Sequence, residues 1–160
     1  MPYRPTDQNC SIARSLAIVG ERWTLVVVRE LAFGRQHFEE IRRNTGVASN
    51  ILSDRLATLV DHGVVERRGD PPEYHLTPKG RDLAPVLGAL TRWGDRYTAG
   101  DDGPPRVAVH DACGHDANPK LVCSHCGEEL RPGETHVRPG PGANARQRDE
   151  GPLPFAALPA

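Results

Sequence analysis

The chain has 160 residues, 38% of them hydrophobic and 26% charged, with a formal net charge of −1; this is an ordinary globular composition, long enough for one domain and an appendage. Apolar runs such as residues 25–28 are far too short to span a bilayer, and the opening Met1-Pro2-Tyr3-Arg4 lacks the apolar stretch of a secretory signal, so the expectation is a cytoplasmic protein with no membrane partner and reduced thiols. The near-zero net charge excludes nucleic-acid binding by bulk basicity; any such contact needs cations gathered on one face.

Ile12, Leu16 and Val19 recur at helical spacing, with Ala13 and Ala17 beside them, and Gly20 stops that helix. Residues 23–32 are apolar almost all round, which predicts a fully buried helix ending near Gly34. A short helix over residues 37–43 turns Phe38 and Ile41 inward and is broken by Gly46. The next, residues 49–61, carries Leu52, Leu56, Leu59 and Val60 on one face. The period then changes. Val64-Val65-Glu66-Arg67-Arg68 and Glu73-Tyr74-His75-Leu76 read as two strands around the turn Gly69-Asp70-Pro71-Pro72. Thr77-Pro78 supplies a cap and a first-turn proline for a long amphipathic helix marked by Leu83, Val86, Leu87, Leu90 and Trp93, with Pro85 expected to kink it or move its start.

The expected fold is therefore mainly α with a small β-hairpin wing: a winged helix-turn-helix over residues 9–97. A linker follows at 98–105, then a zinc-knuckle segment at 106–131 and a Pro/Gly-rich tail at 132–160 expected to be disordered. In such a layout the helix after Gly46 enters the major groove. Its outer face offers Asn50, Ser53, Asp54 and Ala57, and Ser49 opens it; small polar groups there reach base edges, and a helix N-terminus favours phosphate. Asn50 is expected to pair adenine through two hydrogen bonds and Ser53 to touch base or backbone. Arg42, Arg43, Arg67 and Arg68 are candidate phosphate contacts, as is Arg55 unless it pairs with an acid such as Glu39 or Glu40. Six arginines between residues 35 and 70 face six acids, so charge alone does not carry this reading.

Several motifs together resemble HxlR-type regulators: Cys10-Ser11-Ile12-Ala13-Arg14, Gly20-Glu21-Arg22-Trp23-Thr24-Leu25, Arg29-Glu30-Leu31, Phe38-Glu39-Glu40-Ile41, Leu52-Ser53-Asp54-Arg55-Leu56, Gly63-Val64-Val65 and Tyr74-His75-Leu76-Thr77-Pro78-Lys79-Gly80. The resemblance implies a bacterial homodimeric winged-helix regulator, related to the MarR group. It binds double-stranded DNA through the helix at 49–61 and pairs through its first and last helices. Ala48 and Asn50 depart from the common pattern of a Ser and a basic residue, so base preference does not carry over. The resemblance also implies a redox or electrophile sensor at Cys10, with Arg14 one turn on; the alternative is a half-buried thiol packing at the dimer interface. A small-molecule or electrophile inducer is compatible with the family, and the sequence does not identify one.

The C-terminal cluster repeats itself. His110-Asp111-Ala112-Cys113-Gly114-His115 matches Cys123-Ser124-His125-Cys126-Gly127-Glu128, both reading ligand, two residues, Cys, Gly. Two such knuckles supply four tetrahedral ligands, expected to be His110, Cys113, Cys123 and Cys126 around one structural zinc per chain, with His115 the rival to His110. The competing reading of Cys123-x-x-Cys126 as a redox pair lacks the βαβ context such motifs have. Four protein ligands leave no open position, so no enzymatic activity is expected and a zinc hydrolase is disfavoured. A winged-helix protein-interaction module, with the zinc knot as a docking surface, is the alternative to DNA binding.

Overall fold

The computed structural model describes residues 8–155. The chain divides between Thr91 and Arg92 into two compact units, inside the last long helix and ahead of the expected linker. The first unit runs α1 (Ser11–Val19), α2 (Thr24–Ala32), α3 (Phe38–Thr45), α4 (Ser49–Asp61), β1 (Val65–Arg68), β2 (Glu73–Leu76) and α5 (Pro78–Arg81), and it contains the start of α6 (Ala84–Tyr97).

One cluster forms its core: Val27, Val28 and Leu31 of α2, Ile41 of α3, Val47, Leu52, Leu56 and Leu59 of α4, and Val64 and Val65 at the start of the hairpin. α2 is not buried all round as its composition predicts. Leu25 and Val26 are half-buried and Arg29 is exposed, because α2 packs its Val27–Leu31 side on the core and leaves the other side uncovered. Ile12 and Leu16 of α1 are likewise exposed; only Ala13 of that helix is buried.

The wing is antiparallel, with Val65 opposite Leu76 and Arg68 opposite Glu73. The connector before α3 extends it: the Tyr74 amide donates to the Gln36 carbonyl at 2.8 Å, and His37 bridges to Glu73. As Pro85 leads one to expect, the helical stretch after Thr77 is interrupted, and it is split into α5 and α6. Pro85 lacks an amide donor and its ring crowds the carbonyl four residues earlier, so the helix restarts at Ala84 with the proline in its first turn. The break frees α5 to act as a clasp. The Thr77 hydroxyl donates to the Gly63 carbonyl at 2.7 Å and accepts from the Gly80 amide at 3.1 Å, while Lys79 Nζ donates to the His62 carbonyl. A Cβ at Gly80 would lie 2.2 Å from the Val64 carbonyl oxygen, so only glycine fits there.

The second unit contains β3 (Val109–His110), β4 (His115–Asp116), β5 (Thr135–Val137), α7 (Ala145–Glu150) and β6 (Leu153–Phe155). β3 pairs with β4 and β5 with β6, both antiparallel, as separate two-stranded sheets. Of residues 132–160, expected from composition to be disordered, 132–155 carry secondary structure and 156–160 lie outside the described residues. α7 is opened by a capping box in which Asn144 and Gln147 satisfy each other's backbone amides, a local device that composition does not register.

Candidate nucleic-acid interface and Cys/His site

α3 and α4 meet at a tight turn. Glu39 and Glu40 open α3 and Arg42 and Arg43 close it, matching the helix dipole at both ends. Gly46 then takes a left-handed φ of 69° and its amide closes onto the Arg42 carbonyl, Val47 plugs the turn into the core, and Ala48 leads in extended. Left-handed backbone of this kind favours glycine. α4 begins at Ser49 with no side chain capping it, so its first amides remain available to an outside acceptor.

Leu52, Leu56 and Leu59 lock one face of α4 into the core, and Asn50, Ser53, Asp54 and Ala57 are exposed together on the opposite face. Ser49 is exposed beside them. The candidate cations differ in how far their charge is already used. Arg42 is paired with Glu39 at 2.8 Å and Arg68 with Glu66 across one residue. Arg55 is half-buried, with its guanidinium 3.9 Å from Glu21 on the segment before α2, a partner other than the Glu39 or Glu40 considered from sequence. Arg43 and Arg67 are exposed and make no ion pair among the described residues.

Sequence reading missed the part played by Glu30. Its carboxylate is buried, accepting from Arg29 at 2.6 Å and 2.9 Å and from Arg35 at 2.6 Å, while its backbone carbonyl accepts the Arg35 amide. This pins the bend that delivers the chain to α3. The Arg29-Glu30-Leu31 motif was the available signal, but nothing in its spacing shows which side chain is buried.

Cys10 is half-buried as the residue before α1, and the Arg14 guanidinium donates to the Ser11 hydroxyl and the Asn9 side-chain carbonyl. In the second unit, His110 Nδ1 stands 3.2 Å from Cys113 Sγ. His115 Nδ1 instead donates to the Cys113 backbone carbonyl at 2.8 Å. The amides of Cys126 and His125 and the Cys126 thiol hydrogen-bond to Cys123 and hold its pKa below the usual thiol range. The structure therefore brings the expected ligands together in pairs, His110 with Cys113 and Cys123 with Cys126. Among the described residues no three His, Cys, Asp or Glu side chains meet in one cluster.

The HxlR-like helix-turn-helix pattern matches residues 18–102. The chain belongs to the HxlR-like helix-turn-helix family. This HxlR-like chain is 43% identical over 141 residues to the uncharacterized HTH-type transcriptional regulator Mb3122 of Mycobacterium bovis, a match covering 85% of this chain and 89% of that one. It is similar in fold to PA1607, a candidate transcription factor, with a TM-score of 0.75 and 33% identity over 82% of this chain and 96% of the other. A second candidate transcription factor, PA1374 of Pseudomonas aeruginosa, gives a TM-score of 0.61 and 32% identity over 88% of this chain and 99% of its own. Each match covers more of the chain than the helix-turn-helix region alone. The family is one of transcriptional regulators, and among the described residues no helix is long and apolar enough to cross a membrane.

Proposed function

We propose that this HxlR-like protein is a homodimeric regulator that binds double-stranded DNA with α4 in the major groove and the β1–β2 wing on the flanking backbone. One observation carries the reading: the face of α4 opposite the core presents Asn50, Ser53 and Asp54 to solvent at helical spacing, on a helix held rigid by three buried leucines. Asn50 offers the donor and acceptor that adenine requires, Asp54 can accept from cytosine N4, and Ser49 and Ser53 reach either base or phosphate. Arg43 and Arg67 supply uncommitted positive charge for phosphates; Arg42, Arg55 and Arg68 exchange an internal partner for an external one.

Homodimerisation is supported by apolar side chains that the single chain leaves uncovered: Ile12 and Leu16 on α1, and Val86, Leu90, Trp93 and Tyr97 on α6. The α6 residues recur at four, three and four positions, one continuous stripe on the helix. Leu83 and Leu87, expected from sequence on one apolar face with Leu90 and Trp93, pack against the chain's own core. A second copy of the same surface is the occupant with matching chemistry, and the two-fold assembly would present two α4 helices to two half-sites. Such a regulator works in the cytoplasm. In this reading the Cys/His segment contributes one structural zinc per chain, the half-buried Cys10 is a packing thiol beside the α1 stripe, and the protein performs no catalysis.

The test is binding to random-sequence duplex at low and high salt. Affinity that falls steeply with salt supports the reading. Absent or salt-insensitive binding sinks it and favours a protein-interaction module.

A further inference from the structure

The two Cys/His hairpins are copies of each other in the backbone as well as in the side chains. Every equivalent position is thirteen residues apart: His110 and Cys123, Cys113 and Cys126, Gly114 and Gly127. The hydrogen bonds repeat with the same interval. The Gly114 amide donates to the His110 carbonyl and the Gly127 amide to the Cys123 carbonyl, each at 2.8 Å. Ala117 donates to Ala108 as Leu130 donates to Leu121, at 2.7 and 2.8 Å. His110 pairs with His115 in the first copy, and the Cys123 amide donates to the Glu128 carbonyl in the second. Gly114 and Gly127 both take left-handed φ, 70° and 78°. One more interval reaches His136 but puts Pro139 where the second ligand belongs, so there are two half-sites and not three.

No buried core accounts for this order, and the Lys120–Glu129 ion pair that spans the second hairpin has no counterpart in the first. Among the described residues from Arg92 onward no side chain is buried, and Val107, Val109, Leu121, Val122 and Leu130 all lie exposed. Isolated two-stranded hairpins are marginal in water, and segments this small need a metal or disulfides when they lack a core. The His110–Cys113 separation of 3.2 Å is close to the edge of a zinc tetrahedron, about 3.6 Å for N and S ligands at their usual bond lengths.

We propose that the repeated hairpin is a metal-dependent fold: one zinc ion draws the two half-sites together, His110 and Cys113 from the first copy and Cys123 and Cys126 from the second, and replaces the missing core. This deepens and rests on the structural-zinc assignment above. His115 donates its Nδ1 proton to the Cys113 carbonyl, which leaves its Nε2 lone pair free, so it remains the rival to His110 that the experiment below separates. The hairpins lose their order without metal, while the winged helix, which has its own buried cluster, does not.

The experiment uses the full chain, stripped of metal and kept reduced, titrated with Co²⁺ and Zn²⁺. Optical absorption reads cobalt coordination and amide NMR reads order. The expected result is one cobalt per chain with thiolate-to-metal charge transfer. Zinc should disperse the resonances of residues 108–130 from a collapsed apo spectrum and leave those of residues 24–76 in place. Cys123→Ser and Cys126→Ser should abolish the cobalt signal, and His110→Ala should weaken it at least tenfold more than His115→Ala. Hairpin resonances already dispersed in the stripped chain, with metal still bound, would overturn the metal-dependent fold and leave the structural zinc standing. Two metals per chain would overturn convergence on one ion, and a larger loss in His115→Ala would overturn the ligand set. No metal uptake would sink both the zinc assignment and this inference.

Discussion

The Glu30 carboxylate accepts a 2.6 Å hydrogen bond from Arg35, across the bend that carries the chain from α2 to α3. Glu30 is buried, and Arg29 and Arg35 between them satisfy both of its carboxylate oxygens. Removing one member of a buried pair typically costs about 3–5 kcal/mol. Glu30→Ala, however, strands no buried charge, since Arg29 and Arg35 both reach solvent; the loss of hydrogen bonds to a charged group should destabilise the winged-helix unit by about 1.5–3 kcal/mol. Urea denaturation followed by helical circular dichroism measures this. A loss under about 1 kcal/mol would mean that packing, and not the ion pair, holds the bend.

Gly80 ties the end of the wing to the clasp that follows it. Its missing Cβ is what lets α5 lie against Val64. Gly80→Ala should destabilise the same unit by about 1–3 kcal/mol through overpacking. Thr77→Ala should cost about 1 kcal/mol through the lost cap, since its hydroxyl bridges the Gly80 amide and the Gly63 carbonyl. Thermal melts of the two variants, with near-normal stability in Gly80→Ala, would contradict the close approach.

The arginines of the candidate interface should separate by their internal pairing. Arg43→Ala and Arg67→Ala should each weaken binding to every duplex sequence and lower the salt slope by about 1. Arg42→Ala and Arg68→Ala should do less, because Glu39 and Glu66 already neutralise those groups. Equal effects from all four in a salt titration would show that the ion pairs dissolve on contact with DNA.

Trp93 is 57% exposed and Leu90 50% exposed on one stripe of α6. If a second copy covers that stripe, Trp93→Asp or Leu90→Asp should weaken self-association by at least about 2 kcal/mol, as loss of an interface anchor does. Sedimentation at micromolar concentration should then show a shift from dimer to monomer. A wild-type chain that sediments as a monomer would remove the stripe from the account.

Much of this molecule is legible in its sequence. The leucines of α4 appear at their helical spacing and are buried where that spacing puts them, because one apolar face per helix is a local signal. The pairing of His110 with Cys113 and of Cys123 with Cys126 announces itself by repetition. What fails is whatever depends on a partner or on a distant contact. α2 reads as buried all round because hydrophobicity does not say which side the rest of the chain covers. Leu83 and Leu87 read as sharing one apolar face with Leu90 and Trp93, and spacing alone does not show where along that face the chain's own core ends. Arg55 reads as a phosphate contact or a partner of Glu39 or Glu40, and its actual neighbour Glu21 goes unseen because it is thirty-four residues away in sequence.

The most direct test of the central claim is selection of duplexes from a random pool by the purified protein, repeated with Asn50→Ala. α4 as the reading helix predicts a two-fold operator from the wild-type chain, consistent with a dimer. The variant should lose preference at one base pair of each half-site, with specific affinity lower by about 1–3 kcal/mol. An unchanged operator and affinity in Asn50→Ala would contradict the assignment of Asn50, and failure of the wild-type chain to enrich any sequence would contradict α4 as a reader of DNA.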